Sequence, residues 1–173
     1  DAHRPDHAFP FTPPVSDIYA LRSVLQQYLA EGPQNVLDRH RRAARAVRAG
    51  VQALGLSLWA DSDAIRADTV TAIELPGGVD EAAVRAVARA ESGVMLAGGQ
   101  GDLRGRVLQI GHMGPAAYPM SPVIALAALG RALRRLGAKA DIGAAVEAAL
   151  AAGDEDGETR DVGGPDDTES ELP

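Results

Sequence analysis

The chain has 173 residues, 46% of them hydrophobic, which suits one domain, or one domain with a tail, with enough apolar material for a real core. It contains no cysteine, which excludes disulfide frameworks, thiolate nucleophiles and cysteine-ligated zinc and fits a reducing cytoplasm. The net charge of −7 is unevenly placed, because nine acids and Arg160 give the stretch from Gly153 to Pro173 a charge of −8 and leave about +1 for residues 1–152.

That acidic stretch has almost nothing apolar to offset its ordering entropy, so residues 153–173 are expected to be a disordered tail, with an acidic interaction arm as the alternative. No apolar run reaches bilayer length, and the first residues lack the basic and apolar regions of a signal peptide. The expectation is a soluble, cytoplasmic protein that engages no membrane. It starts at Asp1 rather than methionine, which reads as a processed chain or a piece of a longer one.

Residues 1–15 hold Pro5, Pro10, Pro13 and Pro14 and read as an extended arm. Ser16 offers a cap to an amphipathic helix in which Ile18, Leu21, Leu25, Tyr28 and Leu29 share a face, ended by Gly32. Pro33 opens a second helix whose inner face is Val36, Leu37, Ala44, Val47, Val51 and Leu54. Its outer face carries Arg39, His40, Arg41, Arg42, Arg45 and Arg48. No aromatic residues alternate with these arginines, so a solvated or partner-facing surface is expected rather than a nucleic-acid interface.

Leu56–Trp59 and Thr69–Leu75 read as strands, with the Asp61-Ser62-Asp63 turn between them lacking the further ligands of a calcium loop. Asp80 caps a helix running to Gly93, Val94–Ala97 reads as a strand, and Val107–Ile110 as another. Ser121-Pro122 starts a helix with Ile124, Leu129, Leu133 and Leu136 inward, and a last helix spans about Ile142 to Leu150. This order, without regular βαβ alternation, predicts an α+β domain over residues 16–152: a largely antiparallel sheet with helices on one side.

The segment from Gly98 to Gly114 stands out. Four glycines, Gly98, Gly99, Gly101 and Gly105, precede a strand interrupted by Gln109, and glycine serves where backbone needs positive φ or a close approach. A polar side chain in such a strand is either bonded in the core or aimed at a ligand. The loop is neither a P-loop, which needs Gly-Lys-Ser/Thr, nor a dinucleotide fingerprint, which needs a third glycine at fixed spacing. Ser57, Ser62, Ser92 and Ser121 lack a triad setting, and His112 at a strand end reads as structural rather than as a base.

Phe11-Thr12-Pro13-Pro14-Val15-Ser16 leading into Ile18-Tyr19-Ala20-Leu21-Arg22, then Arg39-His40-Arg41, Leu58-Trp59-Ala60, Thr69-Val70-Thr71-Ala72, and Gly98 to Arg106 through Ile110-Gly111-His112-Met113-Gly114 resemble the C-terminal part of class V aminotransferases. The resemblance covers nearly all of residues 9–150 and is nearest to the alanine-glyoxylate and serine-pyruvate group. It implies the small domain of a homodimeric, fold type I enzyme that uses pyridoxal 5'-phosphate to move an amino group between a small amino acid and an oxo acid. In that family a preceding large domain carries the Schiff-base lysine, the aspartate that pairs with the pyridine nitrogen and most of the phosphate cradle. The sole lysine here, Lys139, does not match that lysine, so no catalytic residue is assigned and activity requires a large domain in cis or in trans.

The resemblance also implies site residues. Thr12 takes the position of a threonine that contacts the cofactor phosphate of the neighbouring subunit, and Phe9 stands where some members have a tyrosine. Gln109 stands where members carry an arginine for the substrate carboxylate, with Gly98 and Gly99 beside it as substrate-contacting backbone. A neutral amide cannot reproduce the charged, bidentate grip of a guanidinium. Either the substrate differs, lacking the α-carboxylate or held by Arg104 or Arg106, or activity is lost. Two further readings are a stand-alone dimerisation or small-molecule binding module with the same fold, and nucleic-acid binding through the arginine helix. Exposed apolar surface along the first helix separates the first of these from a domain that belongs to a larger protein.

Overall fold

The structure is a computed structural model that describes residues 11–154. Phe9 and all but the first two residues of the acidic stretch lie outside the described residues. The chain divides into two compact units, residues 1–39 and 40–173.

In the first unit, helix α1 (Val15–Glu31) starts one residue before the expected cap, directly after Pro14, and Ser16 makes no capping bond. Gly32 closes it at φ 89°, its N–H donating to Tyr28 O, and Pro33 opens α2 (Pro33–Ala53). Arg39 grips the Glu31 carboxylate with two hydrogen bonds of 2.6 and 2.9 Å, and Asn35 donates to Glu31 O at 2.8 Å. These fix the corner between the two helices. The apolar periodicity of α1 is real, yet none of its residues is buried, and Leu37 at the start of α2 is exposed too.

In the second unit, a four-stranded antiparallel sheet runs in the order β1 (Ser57–Leu58), β2 (Val70–Glu74), β4 (Val107–Gly111), β3 (Ala97–Gly98). The remaining helices are α3 (Glu81–Ser92), α4 (Met120–Arg135) and α5 (Ile142–Asp154). Asp80 caps α3 as expected, accepting from the amides of Ala82 and Ala83, and Gly93 ends it in the left-handed region. Helix α4 begins at Met120 rather than Ser121, whose hydroxyl donates to Pro115 O.

One core unites the C-terminal part of α2 (Val47, Val51), the sheet (Ile73, Leu108, Ile110), α3 (Val84, Ala88), α4 (Leu126, Leu129, Leu133) and α5 (Ala145, Ala149). Ile124 and Leu136, expected to point inward, are exposed instead. The helices approach closely where they carry small residues: a Cβ on Gly50 would meet Leu126 Cδ1 at 2.2 Å and Ala145 O at 3.0 Å.

Gly50→Val should therefore lower the urea midpoint by an amount equivalent to about 1–3 kcal/mol, because overpacking must push α4 and α5 away from α2. Gly153→Ala, whose Cβ would lie an ordinary 3.7 Å from Ala46, should leave the midpoint unchanged or raise it slightly through helix propensity.

Candidate functional site

The alternation of β4 sets the site. Leu108 and Ile110 lie in the core, so Gln109 between them points to the face of the sheet opposite the core, where it is half-buried. The register places Ala72 of β2 on one side of it and Ala97 of β3 on the other. Trp59, whose N–H donates to Ala72 O at 3.0 Å, continues the register by one residue past β1. The row across the face is thus Trp59, Ala72, Gln109, Ala97, with a polar amide flanked by two side chains too small to cover it. Arg106 extends over the Trp59 ring, 5.3 Å from its centroid, a cation–π contact that keeps a positive charge beside this row. Among the described residues, no side-chain hydrogen bond involves Gln109.

The glycine loop has a structural logic of its own. Gly101 and Gly105 adopt φ of 55° and 74°, which L side chains rarely take. Gly98 and Gly99 do not need positive φ; they need space. A Cβ on Gly99 would meet Leu103 O at 2.1 Å, and one on Gly98 would meet the carboxylate of Glu81 at 2.5 Å. Glu81 is buried on α3 and paired with Arg85, whose pKa the Glu81 hydrogen bond and charge raise. The closeness of both glycines to their own neighbours is thus accounted for by folding. Glu81 went unrecognised in the sequence because Gly98, the backbone it packs against, lies 17 residues further on.

His112 extends the core-facing alternation one step past β4 and is buried, as its structural reading requires. Asp68 O can only accept, so Nδ1 carries the proton and donates to it at 3.0 Å, which leaves Nε2 to accept from the Thr71 hydroxyl at 2.9 Å. Burial holds the His112 pKa below the ordinary imidazole range, the Arg48 charge adds to this, and the bond to Asp68 O opposes it. Arg48 in turn donates to Ala67 O at 2.8 Å and reaches the Asp68 carboxylate at 3.4 Å, so part of the arginine face of α2 is structural. His40, expected at the surface, accepts the Gly114 N–H on Nε2 at 3.1 Å and anchors the end of the motif to α2. Nothing local in the sequence announces a contact 74 residues away.

A cleft of about 360 Å³ lies on the core-facing side, between Ile110, His112, Met95, Pro115, Pro122 and Ala125, away from the face that Gln109 occupies. Its lining is apolar apart from His112 and Ser121. Among the described residues no group of three or more His, Cys, Asp or Glu is placed to hold a metal ion, and no helix is long and apolar enough to cross a membrane.

The histidine gives a sign that can be checked. A folded-state pKa below the unfolded one means that the unfolded chain binds more protons as pH falls through about 6.5, so this contribution to stability is complete above that pH and declines below it. The urea midpoint of the native chain should fall more between pH 7.5 and 5.5 than that of His112→Gln, which has no imidazole to protonate. Equal falls would contradict a buried neutral ring.

No protein-family model matches the chain. It is 51% identical over 151 residues to a pyridoxamine–pyruvate transaminase of Mesorhizobium japonicum, a match that covers 87% of this chain and 38% of that protein. An (S)-ureidoglycine–glyoxylate transaminase of Bacillus subtilis is 37% identical over 133 residues, covering 77% of this chain and 32% of that one. The crystal structure of pyridoxamine-pyruvate aminotransferase from Mesorhizobium loti superposes with a TM-score of 0.82 at 51% identity over 85% of this chain and 38% of that chain. The chain thus spans about a third of the length of the relatives it matches. In sequence and in fold alike, it belongs with the small domain of the class V aminotransferases.

Proposed function

We propose that this chain is the small-domain part of a pyridoxal-phosphate-dependent aminotransferase that moves an amino group to an oxo acid such as pyruvate or glyoxylate. The observation that carries the reading is 51% identity to a pyridoxamine–pyruvate transaminase over most of the chain, joined to a shared fold. The exposure of α1 supports it: Ile18, Leu21, Val24 and Leu29 are each more than half exposed, an apolar surface that a stand-alone binding module would have covered. The working assembly is a homodimer in the cytoplasm, with a large domain supplied in cis or in trans.

The residues present fit only the edge of a cofactor site. Lys139 lies exposed in the turn between α4 and α5, so the Schiff-base lysine belongs to the large domain. Thr12, exposed ahead of α1, carries a hydroxyl that can hydrogen-bond a phosphate, which the side chain of Phe9 cannot. Bound pyridoxal phosphate supplies the carbonyl that takes up and releases the amino group. This chain's contribution is to bind and orient substrate through Gln109, with Gly98 and Gly99 lending backbone beside it.

Gln109 bears on which substrate. Its amide donates and accepts hydrogen bonds without charge, which suits an amino donor that lacks an α-carboxylate, as pyridoxamine does. The carboxylate of the oxo acid then needs another cation, and Arg106, held over Trp59 at the end of the Gln109 row, is one the fold supplies.

The test is turnover. The complete protein, large domain included, should transfer an amino group from pyridoxamine or a small amino acid to pyruvate or glyoxylate, and the 173-residue chain alone should not. A complete protein inert with every such pair would sink the reading. In the complete protein, Gln109→Arg should lower KM for alanine about tenfold or more, the worth of one charge-assisted hydrogen bond, without doing so for pyridoxamine. No change in affinity for alanine would remove Gln109 from the carboxylate position.

A further inference from the structure

The face of the sheet that carries Gln109 also carries Glu74. Along β2, Thr71 and Ile73 are buried, so Val70, Ala72 and Glu74 share the opposite face. Glu74 is exposed, in register with Ser57 of β1 on one side and Val107 of β4 on the other. It stands two residues from Ala72, about 7 Å along the strand, and so one step from the row Trp59, Ala72, Gln109, Ala97. Arg106 precedes β4, while the Trp59 ring that its guanidinium covers follows β1, so the side chain reaches across β2, which lies between those strands. The two charges are neighbours on this face. Among the described residues, neither Glu74 nor Arg106 takes part in an ion pair.

Arg39, Arg66 and Arg85 commit their N–H groups to carboxylates of the chain itself. Arg106 is held differently, by an aromatic face, which fixes the cation without supplying it with an anion. We propose, on the reading of the chain as part of an aminotransferase, that this face selects monocarboxylic oxo acids. Arg106, positioned by Trp59, takes the single carboxylate, and Glu74 turns away an oxo acid that carries a second one. The first carboxylate gains charge-assisted hydrogen bonds from an arginine with no acid of the chain competing for it. A second carboxylate along the same row meets Glu74. Two like charges about 7 Å apart, in a site that has lost much of its water, repel strongly enough to weaken binding on the order of tenfold. Glu74 is thus a specificity-determining residue and Trp59 a positioning residue that acts through Arg106.

The test is binding to the complete protein, large domain included, by calorimetry with no amino donor present, so that turnover is not needed. Pyruvate should bind about tenfold or more tightly than 2-oxoglutarate, and Glu74→Gln should shrink that ratio about tenfold, chiefly by tightening 2-oxoglutarate. Glu74→Asp, which keeps the charge, should keep most of the ratio. In roughly 0.5 M salt the wild-type ratio should approach that of Glu74→Gln, because the repulsion is screened. Trp59→Leu should weaken pyruvate binding about threefold and Trp59→Phe by less, while Arg106→Gln should weaken both oxo acids. A merely structural role for Glu74 would move both oxo acids together. A ratio that Glu74→Gln leaves unchanged overturns the selection, and pyruvate affinity indifferent to Arg106→Gln and Trp59→Leu overturns the carboxylate grip. Discrimination in binding without any transamination would count against the aminotransferase activity alone, and transamination without discrimination against the selectivity alone.

Discussion

The register between β2 and β4 is the constraint on which the candidate site depends. Five positions pair, from Val70 opposite Gly111 to Glu74 opposite Val107. Because side chains alternate with a period of two, a slip of one residue would send Gln109 into the core and Ile110 to the open face. The core side chains Ile73, Leu108 and Ile110 already resist this. His112 adds a polar key, because its ring nitrogens match a carbonyl at Asp68 and a hydroxyl at Thr71 in one register only. A slip of two residues, which would keep the ring on the core face, would bury that imidazole unpaired, at a cost of about 1–3 kcal/mol on top of the lost apolar packing. The direction in which Gln109 points is thus secured by a residue on the opposite face.

This separates two kinds of residue within one motif. The loop glycines answer to the chain itself: positive φ at Gly101 and Gly105, the Leu103 carbonyl at Gly99, the Glu81 carboxylate at Gly98. Gln109 answers to nothing among the described residues. A half-buried amide between two alanines contributes little to packing and makes no side-chain hydrogen bond to the described chain, whereas an apolar β-branched residue would suit the strand better. Folding leaves this residue unexplained inside an otherwise explained motif, and the proposed substrate contact is what would account for its chemistry.

Much of this was legible in the sequence, for identifiable reasons. Helical periodicity and glycine stops gave the five helices in order, and β-branched runs gave the four strands, so the α+β class followed. The ends were less legible. The runs Leu56–Trp59 and Val94–Ala97 suggested longer strands than the two-residue β1 and β3, because apolar composition marks burial while ladder length depends on the partner strand. Periodicity likewise identified the apolar face of α1, but whether that face finds a partner within the chain is not a local property. His112 was readable as structural from its place at a strand end. Its partners, and those of His40 and Glu81, were not, since each contact joins residues far apart in sequence.

The way the core is closed then explains how folding and chemistry divide. Small residues let α2, α4 and α5 approach until backbone meets side chain, at Gly50 against Leu126 and at Gly130 against Ile142, so the apolar interior of the second unit is completed by its own helices. Around Gln109 the opposite face of the sheet has no such closure, although Val107 on the same face is buried, and an amide in water competes with solvent for every hydrogen bond it makes. Its selectivity between a charged and a neutral partner grows only when water is excluded and the effective dielectric falls. Stability can therefore reside within this chain, while the discrimination proposed for Gln109 needs a surface set opposite it to exclude water.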